Sequence, residues 1–147
     1  MEDKEGPIDH AAAVNAGKWW SCFVQGDLDG VRSRLAPDVL RIGPRPRDAN
    51  HSQRGREGYI AYMAELLETM PRLNESVTHA IVPSPDGRTV FIHITERDSY
   101  EPHSRDKVID VTCLMMCRLN DEAQVSEIDI YWKEPELDYE WSGTAKD

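Results

Sequence analysis

Helical periodicity in the first half of the chain and two-residue alternation in the second predict an α+β domain. The form expected is a cone, with a curved antiparallel sheet packed on three N-terminal helices. Proline and glycine punctuate the segments at the places such a fold needs, and 147 residues suit one domain with a real core. The first helix is predicted from Ala12 to Val24, where apolar residues at 12, 16, 19, 20, 23 and 24 make one wide stripe and Asp9 is a fitting N-cap. Gly26 ends it, and Asp27 caps a shorter helix carrying Leu28, Val31 and Leu35. Ala36-Pro37 breaks that helix, and Asp38 to Gly43 read as a short strand. Residues 44–56 form a long polar loop. A third helix is predicted from Glu57 to Met70, with Ile60, Met63, Leu66, Leu67 and Met70 on one side and Pro71 as its stop. Everything afterwards reads as strand, at 74–83, 88–100, 107–119 and 124–132, in a four-stranded meander. A sheet that curls to bury one face on helices leaves a pocket inside the cone. The expected organisation is a disordered N-terminus at 1–9, a single domain at 10–135 and a polar tail at 136–147.

Charge narrows the partners. Hydrophobic residues make up 39% and charged ones 30%, a soluble globular balance, and the formal charge is −10. That surface repels phosphates, so neither nucleic acid nor an anionic membrane is expected. Met1 to Pro7 lack the basic-then-apolar order of a signal peptide, and no apolar run is long enough for a membrane span. Cys22, Cys113 and Cys117 are odd in number and lack C-x-x-C spacing, which suits buried thiols in a reducing cytoplasm. No Gly-rich phosphate loop or ligand-spaced His/Cys cluster is present, so no cofactor or metal is expected.

Several local patterns occur in a telling order: Trp19-Trp20-x-x-Phe23-x-x-Gly26-Asp27-x-Asp29-x-Val31, Leu35-Ala-Pro-Asp-Val39, Gly55-Arg-Glu-Gly-Tyr-Ile60 and Val125-x-x-Ile128-x-Ile130-Tyr131-Trp132. Together they resemble the nuclear-transport-factor-two-like (cystatin-like) superfamily over residues 10–135, in the branch of SnoaL-like polyketide cyclases and scytalone-type dehydratases. The resemblance implies an α+β barrel with a pocket; because that fold hosts many activities, it leaves function to the site. The ketosteroid-isomerase pattern fails. Its tyrosine falls on Trp19, its base on Gly43 and its oxyanion-hole aspartate on Met115, while the similar motif Val108-Ile-Asp110-Val111 sits too early. An epoxide hydrolase of this superfamily would draw on Arg97, Asp98 and Asp129, although its last-strand carboxylate position falls on Ile130. The dehydratase pattern places two histidines on neighbouring strands, and here those are His79 and His93. Its helix-one Tyr-Asp pair falls on Phe23 and Val24, and its strand-one tyrosine on Pro44.

Turn chemistry leads to the same two histidines. Pro83-Ser84-Pro85-Asp86-Gly87-Arg88 is a strong turn. A type I turn with a glycine bulge pairs Ser84 with Arg88 and sets His79 opposite His93 on one face. If Glu101 opposes Lys107 across the next turn, Met115 becomes the neighbour of His93, and the histidine face looks into the pocket. The opposite face of the hairpin (Ala80, Val82, Val90, Ile92, Ile94) is wholly aliphatic and competes for that place. Two imidazoles on one wall can move protons near neutral pH, as elimination, enolisation and cyclisation require. The structural alternative is a hydrogen-bonded histidine pair, and a closed metal site would need a third ligand, for which His51 or Asp48 has no supporting spacing.

The resulting reading is a cofactor-independent lyase, isomerase or cyclase acting on a small oxygenated apolar molecule, polyketide- or terpenoid-like. His79 and His93 are the expected catalytic pair; Trp19, Phe23, Arg41, Tyr59, Met63, Met115, Ile130 and Trp132 are the expected substrate-binding wall. Arg41, Arg45, Arg47, Arg54 and Arg56 border the pocket mouth and offer sites for an anionic group, against a plain solvated loop. A non-catalytic binding or dimerisation domain is the alternative, and an epoxide hydrolase the third reading. Because the sheet carries apolar residues on both faces, a homodimer through the sheet is expected.

Overall fold

Asp9 and Asp27 start the first helices as their sequence positions predict. The Asp9 carboxylate accepts from the Ala12 N–H at 3.2 Å and that of Asp27 from the Gly30 N–H at 2.9 Å, satisfying donors that a helix start leaves open. The computed structural model describes residues 6–43, 52–101 and 104–133. Through them the chain runs α1 (His10–Gly17), α2 (Trp19–Val24), α3 (Leu28–Arg34), β1 (Leu35–Ile42), β2 (Ser52–Arg54), α4 (Arg56–Thr69), a 3-10 turn (Pro71–Glu75), β3 (Val77–Pro83), β4 (Thr89–Glu101), β5 (Ser104–Leu119) and β6 (Val125–Lys133).

The stripe from Ala12 to Val24 is not one helix. At Lys18 the N–H turns to the Asn15 carbonyl at 3.1 Å, and the chain bends between α1 and α2. The bend lets Trp19, Trp20, Phe23 and Val24 all become buried. Just before it, α1 lies tight against the sheet: a Cβ on Gly17 would stand 2.8 Å from Ile81 Cγ2 and 3.2 Å from Val90 Cγ2. Pro71 stops α4, as expected.

Among the described residues the strands form one open, mixed sheet in the order β2-β1-β6-β5-β4-β3. The predicted meander is β3 to β6. The short strand is longer than expected and joins the sheet parallel to β6, with Arg41 opposite Ile128; β2, from the stretch read as loop, adds antiparallel to β1. Three polar residues carry no alternation by which β2 could be recognised.

Two registers differ from expectation, and they decide which face looks inward. At the β3–β4 turn, Asp86 accepts from Ser84 Oγ at 2.9 Å and from the Arg88 N–H at 3.0 Å. Gly87 takes φ +71°, and a Cβ there would run into the Ile8 carbonyl. The turn closes with the Ser84 N–H on the Thr89 carbonyl at 2.8 Å, so Pro83 pairs with Val90 and Ala80 with His93. A bulge at His79 then restores Thr78 opposite Ile94. Between β4 and β5, His93 faces Leu114 and Ile92 faces Met115, one residue from the expected pairing. A one-residue slip exchanges the faces. The aliphatic side is therefore the inner one: Val90, Ile92 and Ile94 are fully buried, and His79 and His93 are exposed on the outer face.

Candidate functional site

The interior of the cone is built by matching parities. On β1, Val39 and Arg41 point inward together, and Arg41 is 7% exposed, a charged side chain held in the core. α4 brings Tyr59, Tyr62, Met63, Leu66 and Met70 to one side at helical spacing. Trp19, Trp20 and Phe23 come from α2, Glu96 from β4, Cys113 and Met115 from β5, and Ile130 and Trp132 from β6. Together they line a cavity with about 690 Å³ of empty space, part of it open to solvent.

Six aromatic rings stand in its wall, those of Trp19, Trp20, Phe23, Tyr59, Tyr62 and Trp132. Trp19 meets Trp20 edge-on at 6.1 Å between centroids, Trp20 meets Phe23 at 5.2 Å, and Tyr59 stacks on Tyr62 at 6.3 Å. The Arg41 guanidinium carbon lies 5.4 Å from the Tyr62 ring centre and 6.0 Å from that of Tyr59, within cation–π range. Glu96 is half-buried and accepts from the Cys113 thiol at 3.6 Å. Burial holds the Tyr59 phenol well above its ordinary pKa, partly offset by Arg41 and reinforced by Glu96, so it keeps its proton at working pH. The same cause pushes the Cys117 thiol up to about 12, opposed by Trp19. The buried Trp20 indole N–H has no acceptor among the described residues.

All eight residues expected to bind substrate (Trp19, Phe23, Arg41, Tyr59, Met63, Met115, Ile130 and Trp132) line this cavity. The two histidines do not. They do meet, with ring centroids 4.8 Å apart and His79 Nε2 2.7 Å from Thr95 Oγ1, but on the opposite side of the sheet. The bulge brings them together; the slipped β4–β5 register turns them outward.

The epoxide-hydrolase set is not gathered either. Arg97 is engaged by Asp110 at 2.9 and 3.0 Å and by Glu75 at 3.2 Å; Asp129 pairs with Met116, on the parity opposite to Met115. The side chain of Asp98 lies outside the described residues, as do Pro44, Arg45, Arg47, Asp48 and His51. Of the remaining arginines, Arg54 donates to the Asp38 carbonyl and Arg56 to that of Leu35, while Arg41 alone lines the cavity among those described.

Sequence reasoning missed Glu96 and Cys113 and did not place Trp20 or Tyr62 in the expected wall. The signal for Glu96 was its parity: it continues the series Val90, Ile92, Ile94. Among the described residues no group of three or more His, Cys, Asp or Glu is placed to hold a metal ion, and no helix is long and apolar enough to cross a membrane.

Comparison with known proteins agrees with this architecture. No curated protein sequence matches the chain significantly. Among solved structures, a steroid delta-isomerase from Pseudomonas aeruginosa superposes with a TM-score of 0.62 at 18% identity, covering 88% of this chain and 85% of that one. The epoxide hydrolase/cyclase-like enzyme SalBIII of salinomycin pyran-ring formation gives 0.66 at 12% identity, over 84% and 91%. A cystatin-like-fold protein of unknown function from Methylobium petroleophilum gives 0.69 at 14% identity, over 96% and 94%. At such identities these likenesses establish the fold. The SnoaL-like domain model matches residues 16–127. That stretch runs from the end of α1 to the start of β6 and carries every cavity-lining residue except Ile130 and Trp132, and the chain belongs to the SnoaL-like domain family.

Proposed function

We propose that the chain is an isomerase, lyase or cyclase that holds a small, largely apolar oxygenated molecule in the cone and moves a proton on it with Glu96. The observation that carries this reading is one carboxylate and one buried guanidinium lining the same aromatic cavity. Polyketide- and terpenoid-like molecules, apolar frames bearing carbonyls and hydroxyls, match that lining. Glu96 takes a proton from the carbon beside a carbonyl, the electrons pass to the carbonyl oxygen, and Arg41 and the protonated Tyr59 are suited to stabilise the charge that develops there. The intermediate then regains a proton elsewhere, expels a hydroxyl or closes on a second carbonyl. Isomerase and cyclase-like enzymes among the proteins of similar fold support the class of reaction. The histidine pair, across the sheet from the cavity, has no part in this mechanism.

The test is a panel of enolisable ketones and polyketide-like diketones assayed by NMR for α-proton exchange in D₂O, followed by turnover of whichever compounds respond. Glu96→Gln should lower the rate at least about a hundredfold while the protein stays folded. Binding of these compounds without exchange or turnover overturns the enzymatic reading in favour of a non-catalytic binding domain. Exchange at the wild-type rate in Glu96→Gln overturns the assignment of the base.

The outer face suits a second copy of the chain. Val77, Val82, Leu114 and Tyr131 are 50%, 52%, 43% and 57% exposed there. A homodimer through the sheet is the arrangement proposed, and a monomer mass by light scattering at micromolar concentration overturns it.

A further inference from the structure

The histidine pair is left without a role by the cavity, and its geometry is specific. We infer that His79 and His93 form an open chelate for a divalent late transition-metal ion, copper(II), nickel(II) or zinc(II), on the outer face of the sheet. The inference is independent of the reaction proposed for the cavity.

Distance is the first argument. An imidazole nitrogen binds such an ion at about 2.0–2.1 Å, which places the ring centre about 3.2 Å from the metal. Two rings on one ion, at an angle between square and tetrahedral, therefore have centres about 4.5–5.3 Å apart. The observed separation is 4.8 Å, with the ring planes 41° apart. Neighbouring rings on paired strands commonly pack at such distances, and here the backbone sets them at a separation that one shared ion can bridge. His93 stands on the regular β4–β5 ladder, and the bulge between Thr78 and Ala80 carries His79 to it across β3.

Access is the second argument. In the single chain both side chains are exposed, so an ion reaches them from solvent, and its remaining positions are filled by water or, where two copies face each other, by the second copy's histidines. Among the described residues no third His, Cys, Asp or Glu joins the pair, so the protein would supply two of the ion's ligands and no closed structural site. To bind, His79 turns Nε2 from Thr95 Oγ1, now at 2.7 Å, at the cost of one exposed hydrogen bond that water replaces. Nitrogen ligands select copper, nickel and zinc over magnesium and calcium, which demand oxygen. Once one imidazole holds the ion, the other is already within reach, and that high effective concentration separates a chelate from a lone surface histidine.

The experiment is calorimetric titration of the purified, chelator-stripped chain with CuCl₂, NiCl₂, ZnCl₂ and MgCl₂, repeated on His79→Asn, His93→Asn and the double variant. Expected are binding in the order copper above nickel and zinc, no magnesium heat, and at least about a tenfold loss of affinity in each single variant. One ion per chain, or one per two chains where facing copies share it, both support the site. A second readout guards against misfolded variants. Under sub-stoichiometric copper the methyl signals of Val77, Val82 and Leu114 should broaden, while those of Met63 and Met115 in the cavity should not. Wild-type affinity in either folded single variant overturns the chelate, as does broadening that avoids the outer face.

Discussion

The two faces of the β4–β5 ribbon differ less in composition than in fate. Inward, Val90, Ile92, Ile94, Cys113 and Met115 are buried at 0–2% exposure and continue into Glu96; outward, Phe91, His93, Leu114 and Met116 alternate with them along the same strands. Apolar residues stand on both sides, so hydrophobicity alone does not say which side faces the helices. The difference lies in what each side meets. The inner side meets α1 at Gly17 and the aromatic rings of α2 and α4, whereas on the outer side Leu114 stays 43% exposed and Arg97 reaches Glu75 of the 3-10 turn. Chemistry that needs a dry cavity belongs on the first face, and chemistry that needs access from solvent belongs on the second.

Equal truncations on the two faces should have unequal costs. Ile92→Ala should destabilise the fold by about 2–5 kcal/mol, because the void it leaves is enclosed. Leu114→Ala, at a site 43% exposed, should cost about 1 kcal/mol or less. Urea denaturation of both variants makes the comparison, and equal losses would break it. Two glutamates sharpen the contrast in function: Glu96→Gln should cut turnover by about a hundredfold or more, and Glu127→Gln, on β6 opposite Arg118, should leave it unchanged.

The thiols test the same division by reactivity. Cys113 and Cys117 are buried, Cys117 titrating only at about 12, while Cys22 is half-buried. A disulfide reagent at pH 8 should therefore modify Cys22 first and reach the other two only after denaturation. Early labelling of Cys117 would mean that the inner face opens readily. The smallest effect belongs to the outer Arg97–Asp110 pair. Arg97 holds the Asp110 carboxyl below its usual pKa, so the pair's contribution is present above the ordinary carboxylate range and is lost as pH falls through the depressed value. Asp110→Asn should lower Tm slightly at neutral pH, and the difference from wild type should vanish in high salt and shrink below about pH 4.

Much of this is legible in the sequence. Asp9, Asp27, Pro71 and Gly87 act locally, so the elements they cap, stop or turn were predicted from the chain alone. The eight residues expected in the wall line the cavity: those of the helices share one face, Met115, Ile130 and Trp132 follow the closing-strand pattern, and Arg41 is read from the arginine-rich stretch beside the pocket mouth. What failed was pairing between strands. The meeting of His79 with His93 depends on a bulge that replaces the expected turn register, and their outward aspect depends on a one-residue slip between β4 and β5. Neither the bulge nor the slip has a residue signature, since both are settled by which face the helices cover. The same slip hid Glu96, whose inward parity follows once Ile92 faces Met115.

The bulge at His79 has a further consequence, for the company the molecule keeps. Among the described residues β3 ends the sheet on one side and β2 ends it on the other. An exposed sheet rim offers unpaired amides to any extended chain, and long regular rims seed aggregates. Here one rim, among the described residues, is the three-residue strand Ser52–Arg54, and the other is broken by the extra residue two positions into Val77–Pro83. Strand-by-strand growth is therefore interrupted at both ends. Deleting His79 would restore an even rim, and such a variant should precipitate on concentration where the full chain stays in solution.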